Sequence, residues 1–283
     1  GHDGPRAVGT AIEALSSSHQ RVRRLRRLST KRSLRWSEGV CVIEGPDLVG
    51  AALEQRVEFE ALYVDVARLD AAMEELVRRA AAAGVRTFGL ESAVFQHVAD
   101  TKAPQGVLGA VRLPAVDLAS LVAPRTLLVL VDVQDPGNAG TLVRSADASG
   151  VSAVVFTSHS VDPFNPKTLR ATAGSIFHVP IVVAPFDVLR DYCTYHGVQL
   201  VASVARGGAD PRDANLSRAS ALLVGNEATG LSPEIERSCD LRVTVPMTGH
   251  AESLNAGVAG SLLAFEALYQ RRGAGHDVPR SSL

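Results

Sequence analysis

From Thr126 onward the chain repeats one pattern: an aliphatic, β-branched run, a break rich in Gly, Pro or Asn, then a stretch with helical spacing. The runs predict strands at Leu127 to Val131, Ala153 to Phe156, His178 to Val182, Gln199 to Ser203, Ala221 to Val224 and Leu241 to Val245. Helices are expected from Asn138, near Pro166 to Ala171, from Phe186, around Pro233 to Ser238, and from Ser253 to Arg272. Strands apolar at nearly every position do not alternate between a wet and a dry face. They therefore predict a parallel sheet covered by helices on both sides.

Between Arg21 and Val111 the pattern is shorter and mixed: a basic helix, a strand at Val40 to Ile43, a helix through Leu48 to Leu53, a strand at Ala61 to Val64, a helix from Ala67 to Ala83, and a strand at Arg86 to Phe88. This predicts a compact α/β domain over 18–112. A polar, Pro-bearing linker is expected over 113–125, and a second α/β domain over 126–273. Residues 1–17 and 274–283 lack periodicity and read as mobile ends.

With 283 residues, 46% of them hydrophobic and 21% charged, the composition is that of a soluble globular protein with room for two domains. Cys41, Cys193 and Cys239 fit no metal spacing and leave one unpaired in any disulfide scheme, which favours a reducing compartment. No apolar run suffices for a membrane span, and the N-terminus lacks signal-peptide order, so the cytoplasm is the expected setting. Gly1-His2 in place of an initial Met reads as a processing or cloning remnant.

The net charge of −1 conceals an asymmetry, because residues 1–36 hold nine Lys and Arg against two acids, net +7, leaving −8 for the rest. Eight of those bases, Arg21, Arg23, Arg24, Arg26, Arg27, Lys31, Arg32 and Arg35, fall in one run, the footprint expected of a phosphate-backbone contact. Val22, Leu25 and Leu28, three apart, would anchor one helical edge and turn the arginines outward. A plain solvated helix face is the alternative.

Three blocks join strand ends to polar turns, as an open α/β sheet does where it presents groups to a ligand. The first runs from Asp132-Val133-Gln134-Asp135-Pro136-Gly137-Asn138 to Arg144, the second is Val224-Gly225-Asn226-Glu227-Ala228-Thr229-Gly230-Leu231-Ser232, and the third passes from Val245-Pro246-Met247 to Ser253-Leu254-Asn255. Each alone has a bland reading: a turn with Asn138 as helix cap, a sharp glycine turn, and a terminal helix capped by Ser253 with Asn255 in its second turn. Gly137 and Gly140 lack the G-x-G-x-x-G order of a dinucleotide fold, no Walker lysine follows, and the eight histidines form no ligand cluster, so no metal is expected.

Together and in this order the blocks resemble the motifs of the SpoU-type (TrmH-like) RNA ribose 2′-O-methyltransferases. The stretch from Val161 through Asn165-Pro166-Lys167 to Pro180 is similar to the same family. Glu44-Gly45-Pro46 and Pro104-Gln105-Gly106 resemble its ribosomal-protein-L30e-like substrate-binding domain. The resemblance implies a SPOUT domain threaded into a deep trefoil knot, an exception to the rule against threaded connections. It further implies a pocket for S-adenosylmethionine and a homodimer whose sites draw on both chains. Carried to matching positions, Gly225, Val245, Met247 and Leu254 would hold the cofactor, and Asn138, Arg144, Glu227, Ser253 and Asn255 would form the catalytic region.

Methyl transfer from a sulfonium to a ribose hydroxyl is carried mainly by in-line positioning and electrostatics. A guanidinium, whose pKa exceeds about 12, is a poor proton donor, which makes Arg144 a fixed cation steadying the alkoxide and phosphate. Glu227, water or the phosphate would then take the proton. Ribosomal RNA, 23S first, is the favoured substrate; transfer RNA, and an inactive RNA-binding protein that keeps the knot, stand as alternatives.

Overall fold

The computed structural model describes residues 12–99 and 101–276, which pack as two units divided after Arg112. The first holds β1 (Glu13–Ala14), α1 (Gln20–Thr30), α2 (Arg32–Glu38), β2 (Val40–Glu44), α3 (Pro46–Glu54), β3 (Phe59–Asp65), α4 (Ala71–Ala82), β4 (Thr87–Leu90), α5 (Ser92–Ala99) and β5 (Val107–Arg112). Its sheet order is β1-β4-β3-β5-β2, with β5 antiparallel to both neighbours and the remaining pairs parallel. One side of this sheet buries Val42, Tyr63, Phe88 and Leu108 against Val22, Leu25 and Leu28 of α1 and Phe95 and Val98 of α5.

The second unit holds β6 (Thr126–Leu130), α6 (Pro136–Ser149), β7 (Ala153–Thr157), α7 (Pro166–Ala171), β8 (Ile181–Ala184), α8 (Phe186–His196), β9 (Gln199–Ser203), β10 (Ser220–Val224), α9 (Pro233–Ser238), β11 (Leu241–Val243) and α10 (Ala256–Gly273). Its order is β11-β9-β10-β6-β7-β8 and every pairing is parallel, so all strand ends that carry the three blocks emerge on one edge. Strands β6, β7 and β10 are buried at every residue, as two covered faces require. Leu189, Tyr192 and Cys193 of α8 close one face, while α6 and α10 pack on each other and on β10 and β6. Buried Arg271 ties the end of α10 to Thr126 Oγ1 and to Ser149 O, the latter at 3.1 Å.

Several boundaries depart from the sequence expectations. The expected mobile N-terminus is partly structured: Glu13 and Ala14 pair with Phe88 and Gly89, and Leu15 is buried, while residues 1–11 lie outside the described residues. At the other end Ala274 to His276 close the helix by backbone hydrogen bonds, and 277–283 lie outside the described residues. The expected linker is no free connection, because Ala115 bridges to Ile181 and Leu118 enters the core of the second unit. β5 and α5 went unassigned in the sequence, and β5 is an interior strand of its sheet. The strand expected from His178 begins at Ile181, after a 3-10 turn at Ser175–Phe177.

Candidate active site

The turn after β6 is built around Asp135, not Asn138, as the helix cap: Asp135 Oδ1 accepts from Gly137 N at 2.8 Å, with Pro136 in the first helical position. Asn138 is thereby free to face sideways, nearly buried, with its amide 3.5 Å from Glu227 Oε1. Asp132 sits just before, in the left-handed region at φ 55°, where a non-glycine residue is strained. Neighbouring side chains hold it there: its N–H donates to Thr157 Oγ1 at 3.1 Å, and its carbonyl accepts from Asn226 Nδ2 at 2.9 Å.

The second block is a closed loop. Gly230 N donates to Asn226 O at 2.9 Å, and a Cβ on Gly225 would lie 2.4 Å from the Gly230 carbonyl carbon, so only glycine allows the loop to fold on itself. Asn226 Oδ1 accepts from Ala228 N and Thr229 N at 2.9 and 3.1 Å while its amide reaches Asp132. This residue, which sequence reasoning left without a role, locks the second block to the first.

Glu227 reaches across the same gap, accepting from Gln134 N at 3.0 Å and Asp135 N at 2.9 Å as well as from Asn138. Burial works against its ionisation, but these backbone and amide donors prevail and hold the carboxyl below its ordinary range. An ionised carboxylate with three donors already on it is a poor proton acceptor. Of the candidates for that role, Glu227 is the one the geometry disfavours; it acts as the clasp that fixes the start of α6.

The third block enters α10 through Asn255, whose Oδ1 accepts from Val258 N at 3.2 Å; this corrects the expectation that Ser253 caps the helix. Gly257 follows because the space is taken: a Cβ there would stand 3.1 Å from Asn255 Oδ1 and 3.3 Å from Asn138 Oδ1. The first and third blocks therefore meet at two asparagines.

These loops surround a cavity of about 360 Å³. Gly225, Val245, Met247 and Leu254, the four positions assigned to the cofactor, all line it, and so do Glu227 and Ser253. The lining carries Glu227 and Glu236 and no Lys, Arg or His. Arg144 does not line it: it lies exposed on α6, with no hydrogen bond or ion pair among the described residues. Among the described residues no group of three His, Cys, Asp or Glu is placed to hold a metal.

The basic run forms two helices rather than one, interrupted at Lys31, whose backbone is extended. Arg23, Arg26, Arg27 and Lys31 are exposed, Arg23 and Arg27 on the face of α1 opposite Val22, Leu25 and Leu28 and Arg26 at its edge. Arg21 is exposed with its guanidinium 4.7 Å from the Phe88 ring centroid, and Arg32 is half-buried. Two of the expected phosphate ligands are otherwise engaged. Arg24 is pinned by Glu38 and Glu60 at 2.7 and 2.6 Å, and Arg35 is buried, with Nη1 donating to Leu28 O at 2.9 Å where α2 folds back on α1.

Comparison with known proteins gives the same assignment for both units of the chain. The SpoU rRNA Methylase family matches residues 125–265, and the MRM3-like substrate binding domain matches 19–109. The 23S rRNA (guanosine(2553)-2′-O)-methyltransferase RlmP of Bacillus subtilis is 34% identical over 251 residues, 88% of this chain and 96% of that protein. This chain belongs to the SpoU methylase family. The 23S rRNA (uridine(2479)-2′-O)-methyltransferase of Streptomyces viridochromogenes is 31% identical over 92% of this chain and 93% of its own length. Among solved structures, the AdoMet-bound rRNA methyltransferase from Sinorhizobium meliloti superposes with a TM-score of 0.80 at 30% identity, covering 93% of this chain and 98% of that one. No helix among the described residues is long and apolar enough to cross a membrane.

Proposed function

We propose that the protein methylates a ribose 2′-hydroxyl of ribosomal RNA with S-adenosylmethionine, as a cytoplasmic homodimer. The observation that carries this is the cavity at the strand ends, lined by all four residues expected to hold the cofactor together with Glu227 and Ser253. Its chemistry fits: an ionised Glu227 and no cation in the lining suit a sulfonium and disfavour a phosphate-bearing cofactor. When bound, S-adenosylmethionine supplies an electrophilic methyl whose sulfur leaves as a neutral thioether. Gly225, Val245, Met247 and Leu254 would hold it. Asn138 and Asn255, brought together over Gly257, orient the acceptor ribose, and Glu227 keeps the start of α6 in place by its three hydrogen bonds.

A second copy of the chain completes the site. On α10, Gly257, Gly260, Leu263, Ala264 and Ala267 face the core, whereas Val258, Leu262, Phe265 and Tyr269 form a stripe on the opposite side. Val258, Leu262 and Tyr269 are 45, 47 and 58% exposed, an apolar line that water disfavours and a two-fold mate would cover. Ser145, next to Arg144, hydrogen-bonds Ser261 of α10 at 2.6 Å, so the turn of α6 that carries exposed Arg144 packs against α10. Pairing there directs each Arg144 to the partner's cavity, where its fork stabilises the developing alkoxide and the adjacent phosphate. The proton leaves to water or phosphate. The trefoil knot that the family resemblance implies would be threaded by the chain between β10 and α10.

Because every ribonucleoside carries the same 2′-hydroxyl, the choice of nucleotide rests on RNA docking rather than on the chemistry. Arg23, Arg26, Arg27 and Lys31 supply the phosphate contact of the first unit. Calorimetry with S-adenosylmethionine and its demethylated product tests the cavity. No binding of either to folded protein at millimolar concentration rejects the reading.

A further inference from the structure

The cavity holds two carboxylates, and only one is accounted for. Glu227 is saturated by backbone and amide donors. Glu236, on α9, has Oε1 held by Arg242 Nε at 3.1 Å, while Oε2 has no hydrogen bond or ion pair among the described residues. An ion pair on one oxygen restrains the carboxylate and leaves the other oxygen to accept. Arg242 also offsets much of its charge, so Glu236 suits a hydroxyl donor better than it suits a strongly hydrated ammonium.

Its place in the sheet says which part of a ligand it meets. Arg242 lies on β11 at one edge, and Glu227 clasps the loop after β6, three strand spacings away, about 14 Å at the usual strand separation. Asn138 and the start of α6 belong to the β6 end, which leaves Glu236 with a portion remote from the reacting sulfur. The cavity walls supplied by Val204, Leu231 and Val245 are apolar and suit the flat face of a nucleoside rather than a zwitterionic tail.

We propose that Glu236 is a cofactor-binding residue that accepts a hydrogen bond from the ribose hydroxyls of S-adenosylmethionine, with Arg242 as its positioning residue. This rests on the cofactor reading above. An acidic group at a strand end serves ribose hydroxyls in the same way in dinucleotide folds. Sequence offered no signal for it, because Glu236 lies in Ser232-Pro233-Glu234-Ile235-Glu236-Arg237, where it looks like one of several exposed helix charges.

The experiment measures dissociation constants of S-adenosylhomocysteine and its 2′-deoxy and 3′-deoxy analogues by calorimetry, for wild type, Glu236→Gln and Arg242→Gln. Wild type should lose about tenfold with at least one deoxy analogue, the scale of one charge-assisted hydrogen bond. Glu236→Gln should weaken S-adenosylhomocysteine by a similar factor and bind that deoxy analogue no worse, since the lost partners are the same. Arg242→Gln should weaken binding less and keep the preference for the hydroxyl. Equal binding of all three ligands by wild type would overturn the assignment, and so would an equal loss for all three in Glu236→Gln or no loss at all. If wild type binds none of them, the cofactor reading itself fails.

Discussion

A site completed across a two-fold axis can be tested by breaking it in two places, one in each chain. Arg144→Ala removes the cation and leaves the cavity untouched, because Arg144 lines no part of its own chain's cavity. Gly225→Ala does the reverse: its Cβ would lie 2.4 Å from the Gly230 carbonyl carbon and 2.5 Å from Leu231 N, against an ordinary separation above 3.4 Å. The loop must therefore move by about 1 Å, a misplacement that costs on the order of 100-fold in rate. Loss of the Arg144 fork should cost about 100- to 1000-fold, as for other preorganised donors to a developing oxyanion. Each homodimer is then nearly inactive. In a mixed dimer, isolated with two different affinity tags, the Arg144→Ala chain keeps a sound cavity and receives Arg144 from its mate. One of two sites is complete, so single-turnover methylation should recover to about half of the wild-type amplitude. If each chain used its own Arg144, both sites would be broken. A mixed dimer no more active than its parents would refute the shared site.

Replacing Arg23, Arg26 and Arg27 by Ala should flatten the salt dependence of RNA affinity by roughly 0.7 to 0.9 per lost phosphate contact. Arg35→Ala should leave that slope alone and lower stability by about 1–3 kcal/mol, since it strands the buried Leu28 carbonyl; salt titrations and melting curves separate the two effects. Leu262→Asp should convert the dimer to monomer in sedimentation, because burying a half-exposed Leu in each chain is worth roughly 1.5–3 kcal/mol in total and an unpaired carboxylate cannot enter that seam. Glu227 has its folded pKa below the ordinary value, so its contribution is present at neutral pH and is lost as pH falls through the folded pKa. The melting-temperature advantage of wild type over Glu227→Gln should therefore hold from pH 7 down to about 4.5 and shrink below it.

The second unit was largely legible in the sequence, because strands buried on both faces are apolar at nearly every position and leave no ambiguity of period. β1 was not, since two exposed residues carry no pattern, and β5 passed unread because Gly109 breaks the run Val107-Leu108-Gly109-Ala110-Val111. Cap positions were misassigned where two capping residues compete: Asp135 and Asn138, then Ser253 and Asn255, were each settled by packing around Gly257 and Glu227 that no local rule contains. Charge told where the basic segment lies, not which bases are free. Arg24 and Arg35 are consumed by Glu60, Glu38 and a carbonyl that come from the fold. Cys41, Cys193 and Cys239 are free thiols in the structure, with burial pushing the Cys193 and Cys239 thiols up to about 12.

The central claim, methyl transfer to a ribose hydroxyl at this cavity, is met most directly by incubating protein-free ribosomal RNA with the protein and methyl-labelled S-adenosylmethionine and then mapping alkaline cleavage. A methylated 2′-oxygen cannot attack its neighbouring phosphate, so label in RNA and new alkali resistance at a discrete position are expected, both about 100-fold slower to appear with Gly225→Ala. Label carried on a base with no resistant linkage, or no label from folded, cofactor-binding dimer, would contradict it.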